Sequence, residues 1–355
     1  MSIAMRVGVA LVAAGLTAAL PGAEVKSPKD LKSDLKSKDK TTKAAVPAAP
    51  TAGVKTPGVQ IPVASLKSEA EIPVEGPGWI MIADSVMVQS KPKGSLVRID
   101  PKANKTLDPV GDLKKPCSGT IVAFGSLWIP NCETQTVVRA DPKTFKVSAT
   151  LAIGSADVMM GLAATADSVW MLTDGRTTLS RIDPIQNVVV GEMRLPAGCN
   201  DMTFSDASLW VTCPSENKVY RVNPETNLIE KAIEVSAGPR ALALGDTSVW
   251  VLCEKEGKVD RIDPKTNKVT KTIELNVPNA GGSIAYGEGY LWVTQVGFPI
   301  TRIDTKTEKV VQQFWGEGGG GGQIATASGA IWLTDTSLGK VVRLDPKRIL
   351  ATLAE

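Results

Sequence analysis

Seven arginines, Arg98, Arg139, Arg181, Arg221, Arg261, Arg302 and Arg343, recur at intervals of 40 to 42 residues. Each sits in a variant of one phrase, complete in DRIDPKTNKV at 260–269. A second column keeps step about eleven residues upstream: Met87, Trp128, Trp170, Trp210, Trp250, Trp292 and Trp332. A fixed period near 40 is the mark of a repeat architecture, in which each unit buries its faces only against its neighbours.

One unit, residues 241–277, shows what is repeated. ALALG is a short apolar run that stops at Gly245. SVWVLC is a β-branched and aromatic run, KVDRID is a third, and KVTKTIEL alternates. Such runs read as strands. Between the last two, Asp263 can accept a backbone hydrogen bond, Pro264 presets φ and Asn267 tolerates the left-handed conformation, so DPKTN is a turn. The expected fold class is therefore all-β: a seven-bladed β-propeller of four-stranded antiparallel blades over 70–355. AEIPVEGPGWIMIAD at 70–84 aligns with KAIEVSAGPRALALGD at 231–246, so 70–75 reads as an outer strand placed ahead of the first inner one. The C-terminal RILATLAE could fill the same slot, and the sequence leaves open which end closes the last blade.

The start of the chain is different. Residues 1–23 carry Arg6, an apolar stretch from Val7 to Leu20 and then small residues, the pattern of a cleavable signal peptide. The stretch is short for a transmembrane span. No Cys precedes Cys117, which excludes a lipoprotein anchor. Residues 24–69, rich in Lys, Pro and Ala, read as a disordered linker. The expected protein is exported, periplasmic or secreted, with no membrane span after signal cleavage, and monomeric. Much of its net charge of +3 lies in the linker, which leaves a near-neutral propeller and no nucleic-acid partner. The five cysteines suit an oxidising compartment. Cys117 and Cys132 fall at facing ends of a hairpin, a geometry that permits a disulfide, and Cys199 and Cys213 repeat the placement. Cys253 has no evident partner.

Residues that recur in every blade read as scaffold, and a site is sought where blades differ near the axis. Aligning the repeats on the Trp column puts Asn200, Asp201, Arg240, Ser283 and Gln323 at the starts of neighbouring inner strands. They form a candidate site at the channel mouth for a small polar or anionic ligand or a protein loop, with Arg240 as the cationic anchor. Trp79, Asp157 and Asp174 adjoin it. Asn131 and Asp335, at the ends of Trp-bearing strands, are a weak metal set. The chain holds no histidine. That removes Ser-His-Asp and Cys-His nucleophilic sites and histidine-ligated metals, so no cofactor is called for beyond oxygen-ligated Mg or Ca.

The blade phrase (a small-apolar inner strand, then xLWVT, then xRIDPxTNKV) resembles YVTN-type propellers and the virginiamycin B lyase-like superfamily of streptogramin lyases. The resemblance covers about 70–355. It implies the propeller fold and, in the lyases, a His in a Pro-His-Ala/Gly-Ile phrase with a Glu in a Trp-Phe-Thr-Glu phrase and Mg. Here the matching phrases are Pro239-Arg240-Ala241-Leu242 and Leu291-Trp292-Val293-Thr294-Gln295, with Arg and Gln where His and Glu would stand. Gluconolactonase-like propellers imply axial carboxylate and Asn ligands, of which Asn200, Asp201, Asp335 and Asn131 are a partial set. The reading is an exported binding or interaction module. Its rival is a divalent-metal-dependent lyase or lactonase.

Overall fold

The computed structural model describes residues 50–353, apart from 111–112, 319–320 and 328. The expected signal peptide and residues 24–49 of the linker lie outside the described residues. Seven antiparallel sheets follow one another, with inner strands Pro77–Ile82, Ile121–Ala123, Leu162–Ala164, Asp201–Ser205, Pro239–Gly245, Ser283–Gly287 and Ile324–Ala327, which define blades 1 to 7. In blades 1 to 6 the chain meanders outward through three further strands. Blade 7 takes its outermost strand from the N-terminal side: Ala70–Pro73 pairs antiparallel with Lys340–Leu344, Ala70 opposite Arg343. The C-terminal stretch does not share this slot. Asp345 caps Pro346–Ala351 as a short helix, its side chain accepting from Lys347 N, with Pro346 at the first turn.

The sequence reading carried the linker to residue 69, and here the structure differs. Gln60–Pro62 adds a fifth, parallel strand to the outer edge of blade 6 (Ile61 opposite Phe314). The anchor is Gln313, fully buried: its Oε1 accepts from Val54 N at 2.8 Å and its Nε2 donates to Leu275 O at 3.1 Å. Ile61 drops into the core beside Phe314 and Trp292. Composition hid this segment because three residues of edge pairing need no long apolar run.

The repeated residues hold blade to blade. Trp250 is fully buried and packs with Leu291, Val293 and Ile303 of blade 6. Trp210 packs with Val249, Val251 and Ile262 of blade 5, and Trp332 closes the ring on Val86, Val88 and Ile99 of blade 1. Met87, standing where the others carry Trp, packs on Leu127, Ile129 and Ala140 of blade 2. Arg139, Arg221, Arg261 and Arg343 cross the same seams at the far ends of the strands. Arg221 donates through Nη1 to Pro264 O at 2.6 Å and Asn267 Oδ1 at 2.9 Å. Arg139 does the same to Pro184 O and Asn187 Oδ1, and Arg343 to Pro101 O and Asn104 Oδ1. The receiving turn is preset by its Asp: Asp263 Oδ1 accepts from Lys265 N and Asp183 Oδ1 from Ile185 and Gln186 N. Asn104, Asn187 and Asn267 sit at φ between 55° and 60°, the left-handed region that Asn tolerates. Each guanidinium also lies over an aromatic face, Arg139 at 4.4 Å from the Trp128 ring and Arg221 at 5.1 Å from Trp210. The phrase recurs because this seam recurs.

Candidate functional site

In such a blade the inner strand starts at one rim and the Asp-Pro turn lies at the other. The candidate residues occupy the first of these, the mouth rim. A cavity of about 340 Å³ opens there, with Trp79, Lys91, Asp157, Asn200, Arg240 and Gln323 in its wall. Asp201 and Ser283 line a second cavity deeper in the channel, and Trp79 borders both. The structure thus gathers Asn200, Arg240 and Gln323 and sets Asp201 and Ser283 below them.

Their polar atoms are largely committed to one another. Asn200 Nδ2 donates to Arg240 O at 2.9 Å, and Arg240 Nε donates to Gly282 O at 2.8 Å. Thr294 Oγ1 donates to Gly322 O at 2.5 Å, and Thr336 Oγ1 to Pro77 O at 3.0 Å. Gln89 Nε2 donates to Ser118 O, Gly161 N to Ser118 Oγ at 2.6 Å, and Met159 N to Asn200 O at 3.1 Å. These contacts bridge every consecutive pair of blades, so a closed belt of hydrogen bonds encircles the mouth. The backbone crowds to make it. Gly282 sits at φ +107°, and a Cβ there would meet Thr294 O at 1.7 Å.

Arg240 lies at a bulge: the pairing register shifts between Pro239 and Ala241, which re-aims its side chain across the rim. Its guanidinium pairs with Glu254 at 3.1 Å, with about a third of the side chain still exposed. Asp201 is buried. Its Oδ1 accepts from Met202 N at 3.0 Å and its Oδ2 from Leu242 N of blade 5 at 2.6 Å. Burial pushes its pKa up to about 7, against the pull of those two N–H donors and of Arg240. Ser283 and Gln323 take up Thr294 and Thr334 hydroxyls through their backbone N–H groups. Gln323 Oε1 is buried in the wall without a hydrogen-bond partner among the described residues. Gln295 is fully buried and donates to Val277 O at 2.9 Å, which fastens a connecting loop.

Asn131 and Asp335 are not brought together as a metal set. They end equivalent strands of blades 2 and 7. Asn131 Oδ1 accepts from Lys115 N at 2.7 Å, and Asp335 Oδ1 from Ser337 Oγ at 2.6 Å and Leu338 N at 3.0 Å. Each carries out the same loop-capping task in its own blade. Among the described residues no three His, Cys, Asp or Glu side chains gather where a metal ion could be held. Asp174, placed near the site by sequence, instead pairs with Arg194 on the surface at 2.7 Å. Cys117 and Cys132 are disulfide-linked, as are Cys199 and Cys213, and Cys253 is free and buried. Lys91, in the cavity wall, was missed by sequence reasoning; its only signal was a position in blade 1's mouth-side loop, where lysine is common on any surface.

Solved structures share this fold. A streptogramin B lyase superposes with a TM-score of 0.65 at 18% identity, over 76% of this chain and 93% of that one. The likeness is one of fold. A catalytically inactive histidine-to-alanine variant of virginiamycin B lyase from Staphylococcus aureus, with quinupristin, gives 0.62 at 18%, over 77% and 97%. BamB from Moraxella catarrhalis gives 0.55 at 12%, over 81% and 83%. No family model and no curated protein matches the chain. Among the described residues no helix is long and apolar enough to cross a membrane.

Proposed function

We propose that the protein is an exported binding module that takes a small polar or anionic ligand, or an acidic protein loop, at the channel mouth. One observation carries this reading: the mouth cavity sets Trp79 as an apolar wall beside two cations, Lys91 and Arg240, and the unpartnered Gln323 Oε1. A flat aromatic face with convergent polar groups is the usual make-up of a ligand pocket. The two disulfides support an extracytoplasmic location. The likeness to BamB supports an interaction role only through the fold they share.

The rival reading, a divalent-metal-dependent lyase or lactonase, is favoured by the fold shared with streptogramin B lyase and by Asp201, a channel carboxyl whose pKa of about 7 suits proton transfer. Two observations weigh against it. The inactive virginiamycin B lyase variant lacks a histidine, and this chain has none. Both Asp201 oxygens are already engaged by backbone N–H groups.

The test is a titration of the full chain with citrate, followed by intrinsic fluorescence with Trp79→Phe as control, run beside a lactone-hydrolysis assay in Mg and in chelator. The binding reading expects saturable citrate binding, weakened at least tenfold by Arg240→Ala or Lys91→Ala, and no turnover. Mg-dependent turnover lost in Asp201→Asn would replace it with the enzyme.

A further inference from the structure

The opposite rim carries a second candidate, at a place where the repeated seam is broken. Ser126, Ser168, Ser208 and Ser248 each accept a hydrogen bond from the guanidinium of their own blade, Arg139, Arg181, Arg221 and Arg261, at 2.7–2.8 Å. Among the described residues Arg98 of blade 1 makes no such bond with the equivalent Ser85; its Nε is buried without a partner, as are those of Arg139 and Arg302, but it also lacks the cross-seam acceptors that Arg139 finds. In blade 3 Asp167 pairs with Arg181 at 2.6 Å; among the described residues Arg98 has no ion pair with the equivalent Asp84. The receiving turn is altered as well. Where blades 3 and 5 present Asn187 and Asn267, blade 2 presents Phe145 at φ 60°, a conformation that costs a bulky side chain energy.

The outcome is a guanidinium laid on a ring. Arg98 stands 3.7 Å from the Phe145 centroid, the shortest such distance in the molecule's described part, and its one hydrogen bond among the described residues is Nη1 to Asp108 O at 3.3 Å. Around it opens a groove of about 420 Å³. Lys102 and Lys143 flank the arginine, and Leu107 and Pro142 supply apolar wall. Asp100 also lines the groove, but its Oδ1 is occupied by Lys102 and Ala103 N–H groups, which hold its pKa below the usual carboxylate range. A stacked guanidinium keeps its outer N–H groups in plane and open, and their fork matches a carboxylate.

We propose that this groove is a binding site for a carboxylate carried on an apolar or aromatic body. The Arg98 guanidinium grips the carboxylate, the two lysines raise the local positive potential, and Phe145, Leu107 and Pro142 cover the body. The site lies at the other end of the strands from the channel mouth and does not depend on the function proposed for that mouth.

The experiment uses the full chain and three probes, benzoate, benzamide and inorganic phosphate, each titrated by ligand-observed NMR. Benzoate should bind saturably, with benzamide and phosphate at least tenfold weaker. Arg98→Gln should weaken benzoate at least tenfold, and Arg194→Gln, at an exposed arginine outside the groove, should leave it unchanged. Phe145→Asn restores the residue used at the intact seams, so Asn Oδ1 should recapture Arg98: benzoate binding falls at least tenfold while the thermal midpoint holds or rises. This second variant decides the matter if Arg98→Gln fails to fold. The proposal is overturned if benzoate does not saturate, if benzamide or phosphate binds as well, if both groove variants keep their affinity, or if Arg194→Gln abolishes binding.

Discussion

The two rims of the ring face one structural task, joining each blade to the next, and meet it in opposite ways. On the turn rim, one arginine and one Asp-Pro turn do it again and again, as at Arg139, Arg221 and Arg343. On the mouth rim each seam uses a different pair: an amide on a carbonyl at Asn200, a guanidinium at Arg240, a hydroxyl at Thr294 and Thr336. Uniform joints leave uniform surfaces. Varied joints let the surface between them vary, and a propeller can build a single site there. The seam at Arg98 sharpens the point, since there a joint without its usual partners borders a groove.

The largest expected effect lies between the rims, where both depend on the apolar seam. Trp250→Ala empties a fully buried position shared by blades 5 and 6. It should cost about 3–5 kcal/mol in denaturant unfolding. A loss below about 1 kcal/mol would mean that the blades are joined mainly by their rims.

Next is a titration confined to the mouth side. Burial raises the Asp201 pKa from 3.8 to about 7, so the folded state holds a proton that the unfolded chain has released between those values. Its contribution is present below about pH 4 and lost as pH rises toward 7, at about 1.4 kcal/mol for each pH step of one across that window. The turn-rim carboxyls Asp100, Asp141 and Asp263 are lowered instead, so their contribution is lost only below about pH 4. Unfolding should therefore show a fall of a few kcal/mol from pH 4 to 7 that Asp201→Asn flattens. An equal slope in the variant would assign the fall elsewhere.

On the turn rim, Arg221→Ala leaves Pro264 O and Asn267 Oδ1 unpaired and should cost about 1–3 kcal/mol. Arg98→Ala, which lacks those partners, should cost less by thermal unfolding; equal losses would dissolve the contrast between intact and broken seams. A smaller effect on stability is expected at Arg240→Ala, about 1 kcal/mol, since its pair with Glu254 is partly exposed and a single bond to Gly282 O is lost, although ligand affinity should fall.

The fold was open to reading because period and turn chemistry are local. Trp spacing, Asp-Pro-x-x-Asn and strand alternation each state their meaning within a few residues. The candidate site was legible only in part. Asking where repeats differ picked out Asn200, Arg240 and Gln323, which line one cavity, but Asn200 and Arg240 also build the belt, and Lys91 gave no signal. Asn131 and Asp335 looked like ligands because they are polar near the axis; in fact each caps its own loop. Phe145 shows the converse: a departure from the repeat in a turn, visible in DPKTF, whose consequence appears only when blade 1's arginine is seen against it.

By itself the sequence determined the number of blades, their strand order and the residues that recur at every seam, since each follows from a period near 40 and from short-range turn preferences. Tertiary structure alone decided that 70–73 rather than the C-terminus closes blade 7, that residues 60–62 join the edge of blade 6, and which rim residues spend their hydrogen bonds on neighbours. Those outcomes depend on contacts between groups some 40 to 270 residues apart, such as Asn200 with Arg240 and Lys340 with Glu71. No local pattern encodes such a distance; ring closure does.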